Sequence, residues 1–243
     1  MITKSVVKDI QSLAGKKYRD QAGLFLAEGP KLVEELLRDC PRAIKKIFAL
    51  ESWIQQNQQI DPTIHLTRVN AAELKRLSQL ITPHEVVAVV AKFPQTPLQE
   101  GTGLTIVCCG IQDPGNFGTI LRTADWFGVN QIVCSPDTVD VYHPKVVQAT
   151  MGSIARLTVH FLEIEPWLKM QQVAIYAAVL DGKPLYEIPR SSQGILLIGN
   201  EAKGVPVSLL SANQITGVTI PKVGGAESLN VAVATGILLS WFN

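Results

Sequence analysis

The sequence predicts an α/β protein in which a small α/β domain precedes a larger domain built on a mostly parallel sheet. Short apolar strands alternate with helices through the second half of the chain, a pattern typical of parallel sheets covered on both faces. A segment rich in Pro and Gly separates this half from the residues before it. With 243 residues, 47% of them hydrophobic and 18% charged, the chain is long enough for two globular domains and lacks the composition of a disordered protein.

The first domain is predicted over residues 1–95. Apolar residues at every third or fourth position predict an amphipathic helix at residues 3–13, and a basic turn at residues 15–19 follows it. The further strands are predicted at 24–27, 44–50, 65–66 and 86–91, and the further helices at 30–37, 52–58 and 70–77.

A linker is predicted at residues 96–103, inside a stretch with two prolines, two glycines and little hydrophobic pattern. The second domain then occupies residues 104–243, and its last helix is predicted to open at Ser228. Its strands are predicted at 104–109, 131–134, 173–179, 194–198 and 217–220, and its other helices at 117–127, 144–151, 166–170 and 207–210.

The sequence also predicts a cytoplasmic protein. No apolar run reaches the length of a membrane span, and residues 1–10 lack the apolar core and cleavage site of a signal peptide. The four cysteines, Cys40, Cys108, Cys109 and Cys134, show no C-x-x-C spacing. We therefore expect structural thiols, with no disulfide and no metal site.

The charge distribution points to a polyanion as a partner of the first domain. Residues 1–50 carry ten Lys and Arg against six Asp and Glu, whereas residues 101–243 carry eight against ten. Lys16, Lys17 and Arg19 cluster in the predicted basic turn. A solvated surface would explain the same pattern, so the charge alone leaves both interpretations open.

Three strands of the second domain are each followed by a segment that combines Gly with Asn. Ligands of open α/β sheets bind beyond the carboxyl ends of the strands, so three such segments predict a binding site there. The segments are 110–128, 196–205 and 220–239, and their asparagines are Asn116, Asn200 and Asn230.

Each segment also has a simpler interpretation. Ser228 would be a helix cap, Gly224 and Gly225 turn formers, and Glu201 a carboxylate favoured near a helix start. Arg122 would be a surface residue of its helix. The repetition of the same residue types after three strands favours a shared site over coincidence.

The three segments resemble the motifs of a known family. N-F-G-T-I-L-R-T-A, I-G-N-E-A-K-G and S-L-N-V-A-V-A, in this order, are similar to the three motifs of the SpoU (TrmH) family of RNA ribose 2′-O-methyltransferases. H-P-K-V-V-Q-A-T-M-G-S, residues 143–153, resembles the segment between the first two motifs. F-L-A-E-G-P-K-L-V-E-E-L-L, residues 25–37, resembles a small RNA-binding domain, related to a ribosomal protein, that precedes the catalytic domain in many members.

The resemblance implies a SPOUT-type catalytic domain with a trefoil knot near its C-terminus. It also implies S-adenosylmethionine as cofactor, RNA as substrate and a homodimer with sites at the subunit interface. The implied catalytic residues are Asn116, Arg122, Glu201, Ser228 and Asn230. The implied cofactor-binding residues are Leu180, Ile198, Gly199, Asn200, Gly204, Ile220, Ser228 and Leu229, and the RNA-binding residues are Lys16, Lys17, Arg19 and Arg122.

The expected reaction is methyl transfer to a ribose 2′-hydroxyl of structured RNA, with rRNA preferred over tRNA. A guanidinium stays protonated in proteins, so Arg122 is expected to hold a phosphate and stabilise developing negative charge rather than act as a base. The proton acceptor stays open between Glu201, the phosphate and water. The alternatives are a non-catalytic RNA-binding or ribosome-assembly protein on the same fold and, more distantly, a nucleotide-binding α/β enzyme of another type.

Overall fold

A computed structural model describes residues 2–99, 101, 103–212 and 214–242. The chain divides into two units, each with its own sheet. The first unit contains the residues up to Pro94 together with Asp140–Arg156, and the second contains Gln95–Val139 and the residues from Leu157 onward. Two residues of the predicted linker, Glu100 and Thr102, lie outside the described residues. Within the described residues, no helix has the length and apolar character needed to cross a bilayer.

The first unit is built on a four-stranded sheet with the strand order β1-β4-β2-β3. β4 pairs antiparallel with both of its neighbours, and β2 pairs in parallel with the edge strand β3. The strands are β1 (Leu24–Glu28), β2 (Ile44–Ala49), β3 (His65–Arg68) and β4 (Val86–Ala91). The helices among residues 2–94 are α1 (Lys4–Ser12), α2 (Lys16–Ala22), α3 (Pro30–Asp39), α4 (Glu51–Gln56) and α5 (Ala71–Leu77).

Capping and apolar spacing explain these helices. The side chain of Thr3 accepts a hydrogen bond from the backbone of Val6 and so begins α1, whose buried side includes Val7 and Ile10. Asn70 and Glu73 form a capping box at the start of α5. The predicted helices and strands of this part are confirmed, except that the predicted basic turn at residues 15–19 is wrong: from Lys16 onward it forms α2.

The second unit is built on a six-stranded sheet with the strand order β10-β8-β9-β5-β6-β7. Every pairing in it is parallel among the residues that the structure describes, which confirms the predicted parallel sheet. The strands are β5 (Leu104–Cys109), β6 (Gln131–Cys134), β7 (Thr158–Phe161), β8 (Ile175–Pro184), β9 (Gly194–Gly199) and β10 (Ile215–Thr219). The helices from residue 103 onward are α6 (Pro114–Trp126), α7 (Pro144–Thr150), α8 (Ile164–Leu168), α9 (Val207–Ala212) and α10 (Val231–Phe242).

Two features of this sheet differ from the sequence prediction. The edge strand β7 was not predicted, because it is four residues long and only half-buried, so its apolar pattern is weak. The last helix begins at Val231, three residues later than predicted. Its cap is Asn230, which leaves Ser228 in the preceding loop.

Asp140–Arg156, which contains α7, is part of the first unit although its chain lies between β6 and β7. The Tyr142 ring packs 4.9 Å from the ring of Phe25, between the ring centroids. The guanidinium of Arg19 contacts the Asp140 carboxylate at 2.6 Å and donates hydrogen bonds to the carbonyls of Leu13 and Ala14. The side chain of Arg19 is therefore a buried part of the unit's interior.

The buried position of Arg19 corrects one sequence prediction. Arg19 is only 1% exposed, so it cannot reach an RNA phosphate, whereas Lys16 and Lys17 on the same helix are exposed. Arg suits this position better than Lys, because its planar guanidinium donates hydrogen bonds to two carbonyls and one carboxylate at once.

Three of the four cysteines lie inside the second unit. Burial raises the pKa of the Cys109 thiol to about 12, and burial together with a hydrogen bond to Cys108 raises the pKa of Cys134 well above its ordinary value. Cys40, in the first unit, is half-buried and has its pKa raised to about 11, mainly by desolvation. All four thiols are free. Among the described residues, no group of three or more His, Cys, Asp or Glu side chains is arranged to hold a metal ion.

Replacing Arg19 by Ala should lower the free energy of unfolding by about 3 kcal/mol, because it leaves the partly buried Asp140 carboxylate and the carbonyls of Leu13 and Ala14 without their partner. Urea denaturation followed by circular dichroism measures the loss. Lys17→Ala is the matched control on the same helix and should unfold like the wild type. Equal stability of the two variants would contradict a structural role for Arg19.

Candidate functional site

The candidate site lies beyond the carboxyl ends of neighbouring parallel strands. β5 and β9 pair along their whole lengths, from Leu104 with Gly194 to Cys109 with Gly199. From β5 the chain continues to β6 on one side, while β9 lies on the other. Such a reversal of strand order opens a crevice between the loops that follow the two central strands. The first two motif segments are these two loops.

Asn116 is held in the first turn of α6. The carboxylate of Asp113 accepts a hydrogen bond from the Asn116 backbone N–H at 2.7 Å, and Pro114 occupies the first helical position, where a missing N–H costs nothing. Asp113 is a supporting residue that the motif comparison did not single out. Its Asp-Pro sequence before an apolar helix was the signal that could have identified it.

A chain of side-chain hydrogen bonds connects the three motif segments. Asn230 Nδ2 donates to Asn116 Oδ1 at 2.9 Å, and Asn116 Nδ2 donates to Glu201 Oε1 at 2.9 Å. Each asparagine therefore uses its oxygen as an acceptor and its nitrogen as a donor, so the order of the hydrogen bonds fixes the orientation of both amides. Glu201 and Asn230 lie 85 and 114 positions after Asn116 in the sequence, and both form a hydrogen bond with its side chain. The chain ends at the Glu201 carboxylate.

Asn230 also anchors the start of α10. Its Oδ1 accepts hydrogen bonds from the backbone N–H groups of Ala232 and Val233, at 2.9 and 3.3 Å. This capping leaves Nδ2 free to reach Asn116. Ser228 and Leu229 precede the cap as exposed loop residues, and Ser228 makes no side-chain hydrogen bond with any residue that the structure describes.

The loop after β9 is closed by its own backbone. Asn200 and Gly204 exchange backbone hydrogen bonds at 3.1 and 2.8 Å, and Asn200 Nδ2 donates to the carbonyl of Gly110 at 2.7 Å, which ties this loop to the end of β5. A Cβ on Gly199 would lie 2.1 Å from the carbonyl carbon of Gly204, so only glycine permits this approach. Gly204 has φ = 66°, a conformation that also favours glycine.

A second close approach occurs where β8 and β10 meet. Their register shifts between Gly217 and Val218, so that residues 178–182 of β8 have no partner in β10. A Cβ on Gly182 would lie 2.6 Å from the carbonyl carbon of Gly217. This excursion exposes 70% of Leu180.

Four of the predicted cofactor-binding residues in and after β8, β9 and β10 have apolar side chains. Leu180 and Leu229 are exposed, Ile220 is half-buried in the loop after β10, and Ile198 is buried in β9. An apolar lining with a few polar groups is typical of sites for nucleoside-like ligands. These predicted residues therefore offer a nucleoside-like ligand mostly apolar side chains and backbone groups.

Arg122 is not part of the hydrogen-bonded chain. It lies on α6 six residues after Asn116, which places it about 120° around the helix axis from that residue. It is exposed and forms no hydrogen bond or ion pair with the part of the chain that the structure describes. The structure thus brings together Asn116, Glu201 and Asn230 of the predicted catalytic residues, and leaves Arg122 and Ser228 without a link to them.

Family models match both halves of the chain. The model described as SpoU rRNA Methylase family matches residues 103–240, and the model described as MRM3-like substrate binding domain matches residues 4–88. The two matches leave residues 89–102 between them, which include the predicted linker except for Gly103.

Individual proteins match the chain over nearly its whole length. The 23S rRNA (guanosine(2553)-2′-O)-methyltransferase RlmP of Bacillus subtilis is 32% identical over 96% of this chain and 94% of its own. A solved structure of a TrmH-family protein from Porphyromonas gingivalis is 34% identical, with a TM-score of 0.87 over 100% of this chain and 98% of its own. The AdoMet-bound rRNA methyltransferase from Sinorhizobium meliloti is 31% identical, with a TM-score of 0.83 over 98% and 94%.

Replacing Gly199 by Ala should open the loop that follows β9. The added Cβ meets the Gly204 backbone, and overpacking of this kind costs about 1–3 kcal/mol, which corresponds to about 5- to 150-fold faster exchange of the Gly204 amide that bonds to Asn200. Hydrogen exchange followed by NMR measures this rate. Gly224→Ala, where nothing lies within 4 Å of the added Cβ, is the control. Unchanged exchange in Gly199→Ala would show that the loop can relax around a methyl group.

Proposed function

Because the chain belongs to the SpoU rRNA methylase family, we propose that it transfers a methyl group from S-adenosylmethionine to a ribose 2′-hydroxyl of RNA. The single observation that carries this proposal is the hydrogen-bonded chain from Asn230 through Asn116 to Glu201. It joins the three motif segments at the crevice of the parallel sheet. A non-catalytic RNA-binding protein would have no need for this arrangement of polar side chains after the parallel strands, so that alternative is not favoured.

S-adenosylmethionine is the cofactor that best fits the loops after β8, β9 and β10. The related structure from Sinorhizobium meliloti is AdoMet-bound. The closed loop from Gly199 to Gly204 offers backbone groups, and Leu180 and Leu229 offer exposed apolar surface for an adenine ring. The cofactor supplies a methyl group already activated by its sulfonium, so the protein needs to align the acceptor and receive a proton.

We assign the proton acceptor to Glu201. The carboxylate receives one hydrogen bond, from Asn116 at Oε1, and no other side-chain hydrogen bond from the described residues. Asn116 holds the Glu201 carboxylate, and Asn230 holds Asn116. A base needs such a fixed position to accept a proton in a single geometry. In the reaction, the bond from the sulfonium sulfur to the methyl group would break as the ribose O2′ binds that methyl, with S-adenosylhomocysteine as the leaving group, and the hydroxyl proton would pass to the free oxygen of Glu201. Ser228 orients the hydroxyl from the neighbouring loop.

Arg122 acts on charge rather than on the proton. A guanidinium remains protonated, binds phosphate with two parallel hydrogen bonds, and here has no carboxylate partner among the described residues. We propose that it holds the phosphate next to the methylated ribose and stabilises the developing alkoxide.

A homodimer is supported by the composition of α10. This helix reads V-A-V-A-T-G-I-L-L-S-W-F and carries apolar residues on all sides, as a helix buried on all sides does. Yet Val233 is 53% exposed, and Trp126 at the end of α6 is 85% exposed. We propose that α6 and α10 pack against a second copy of the chain. Arg122, which lies on α6 away from Asn116, would then be available to the second copy's site.

A trefoil knot in the C-terminal part is also inferred from the family. The close backbone approach of Gly182 to Gly217 supports it, because these two distant segments meet without side chains between them.

The proposed substrate is rRNA. RlmP of Bacillus subtilis, which is 32% identical, is named for 23S rRNA, and the rRNA methyltransferase from Sinorhizobium meliloti has the same fold over nearly all of both chains. The exposed Lys16 and Lys17 of the first unit remain proposed phosphate contacts. An rRNA substrate is consistent with the cytoplasmic location expected from the sequence.

Radiolabelled methyl transfer to deproteinised rRNA tests the proposal. Arg122→Ala should lower the single-turnover rate by about 10²- to 10³-fold, as does the loss of a preorganised donor to developing charge, while S-adenosylmethionine affinity stays near that of the wild type. Arg122→Lys should restore little, because a point charge cannot form the bidentate contact.

Isothermal titration with S-adenosylmethionine is the control for each variant. Wild-type transfer by Arg122→Ala would remove Arg122 from the reaction. No methyl transfer by the wild type to rRNA or tRNA, with S-adenosylmethionine bound, would favour the RNA-binding alternative instead.

The double variant Trp126→Asp/Val233→Asp should be a monomer where the wild type has twice the chain mass. Each carboxylate would be buried without a partner in the proposed interface. Size-exclusion chromatography with light scattering measures the mass. Met170→Asp, an exposed apolar position outside α6 and α10, is the control and should leave the dimer intact. A dimeric double variant would argue for an interface elsewhere.

A further inference from the structure

The strand β2 presents two consecutive lysines to solvent, against the alternation of a regular strand. Its register with β4 shifts between Ile44 and Lys46, so that Lys45 is an extra residue without a partner in β4. As a result, Lys45 and Lys46 are both exposed, while Ile44 and Ile47 on either side of them are buried. Bulges are used in this way to redirect side chains, and they are features that a sequence retains.

These lysines lie in a locally basic stretch without neutralising partners. Residues 41–50 contain Arg42, Lys45 and Lys46 and no Asp or Glu. In the part of the chain that the structure describes, Lys45 and Lys46 form no ion pair. By contrast, Arg38 pairs with Glu35 and Arg68 pairs with Glu51 in the same unit. Lys45 Nζ instead donates to the Arg42 carbonyl at 3.2 Å, which holds it beside a second positive charge.

The first unit also contains an open groove with a volume of about 880 Å³, and Pro41 at its border is followed directly by Arg42. Glu34, Leu37, Arg38 and Pro41 line it together with residues 55–61. Residues 55–59 are the run Q-Q-N-Q-Q, so side-chain amides form a large part of the lining. Among the described residues, Gln58 and Gln59 make no side-chain hydrogen bond and are exposed.

Two observations connect the groove with the basic residues. Hydrogen bonds from the backbone and side chain of Thr63 lower the pKa of the Asp61 carboxyl, which lines the groove, and the positive charge of Arg42 lowers it further. Lys46 is the register partner of His65 in β3, which lines the neighbouring part of the same loop region. Arg42 and Lys46 are therefore neighbours of residues that line the groove and the part beside β3.

We propose that the basic residues and the groove form a surface that binds a single-stranded segment of the substrate RNA, with the phosphates on Arg42, Lys45 and Lys46 and a base in the amide-lined groove. The inference rests on the proposed function and adds a binding site to the first unit. Unpaired cations release counterions from a phosphate backbone when it binds. Amide side chains offer both a donor and an acceptor to the edge of an unstacked base, the form in which RNA sequence is recognised.

The test compares two double variants of the full chain. Lys45→Ala/Lys46→Ala removes two charges from the proposed surface, and Lys8→Ala/Lys75→Ala removes two exposed charges from α1 and α5 of the same unit. The measurement is affinity for deproteinised large-subunit rRNA between about 50 and 200 mM salt. Each lost phosphate contact flattens the log-log salt slope by about 0.7 to 0.9, so the wild-type affinity should fall about 7- to 12-fold more over this range than that of Lys45→Ala/Lys46→Ala.

The control variant should keep the wild-type slope, and Lys45→Arg/Lys46→Arg should restore it because the charges return. Gln58→Ala/Gln59→Ala should raise the KM for RNA by about 5-fold or more without changing the slope, because amide contacts release no counterions. S-adenosylmethionine binding, which depends on the second unit, should be unchanged in all variants.

The outcomes separate this inference from the proposed function. Normal methyl transfer by Lys45→Ala/Lys46→Ala, with wild-type KM and salt slope, would overturn the proposed RNA-binding surface but not the proposed function. The basic residues would then be candidates for binding an acidic protein instead. Absence of methyl transfer and of RNA binding by the wild type would overturn both. Equal losses in the two double variants would also overturn the inference, because the effect would then be one of net charge.

Discussion

The parallel pairing of β5 with β9 is the constraint on which the rest of the site depends. Parallel strands end at the same edge of a sheet, so the loops after β5 and β9 must emerge side by side whatever their sequences. The hydrogen bond from Asn200 to the Gly110 carbonyl joins these two loops at 2.7 Å. With the loops joined, the short side chain of Asn116 reaches the Glu201 carboxylate directly, without a bridging water.

Ordering the side chains of this site costs little additional conformational entropy, because the same side chains also form structural hydrogen bonds. Asn230 caps a helix, and Asn200, next to Glu201 in the sequence, holds the same loop closed through the backbone of Ala202 and Lys203. A side chain fixed by a cap has little freedom left to lose when it takes part in a second contact. The same economy appears in the first unit, where the Arg19 guanidinium satisfies two helix-end carbonyls and one carboxylate.

Much of this architecture could be predicted from the sequence because it depends on local patterns. Apolar strands, helix spacing and the three motif segments are all visible within a few residues of one another. The failures concern tertiary partners. Arg19 looks like a surface residue beside Lys16 and Lys17, and only the distant Asp140 explains its burial. The start of α10 was placed at Ser228 because Ser is a good cap, whereas contact with Asn116 favours Asn230. The bulge at Lys45 depends on pairing with β4 and has no local signal.

The discontinuous first unit has a consequence for how this protein can be divided. The boundary suggested by the two family matches lies between residues 88 and 103, as if one gene segment had been joined to another. Yet Asp140–Arg156 folds with the N-terminal residues, and the polypeptide passes from one unit to the other at three points. A single proteolytic cut, or a recombination event at the linker, would therefore divide the first unit and leave Asp140–Arg156 attached to the second. It would also separate Tyr142 from the ring of Phe25, against which it packs. The first unit can thus be complete only in a chain that also carries residues 140–156.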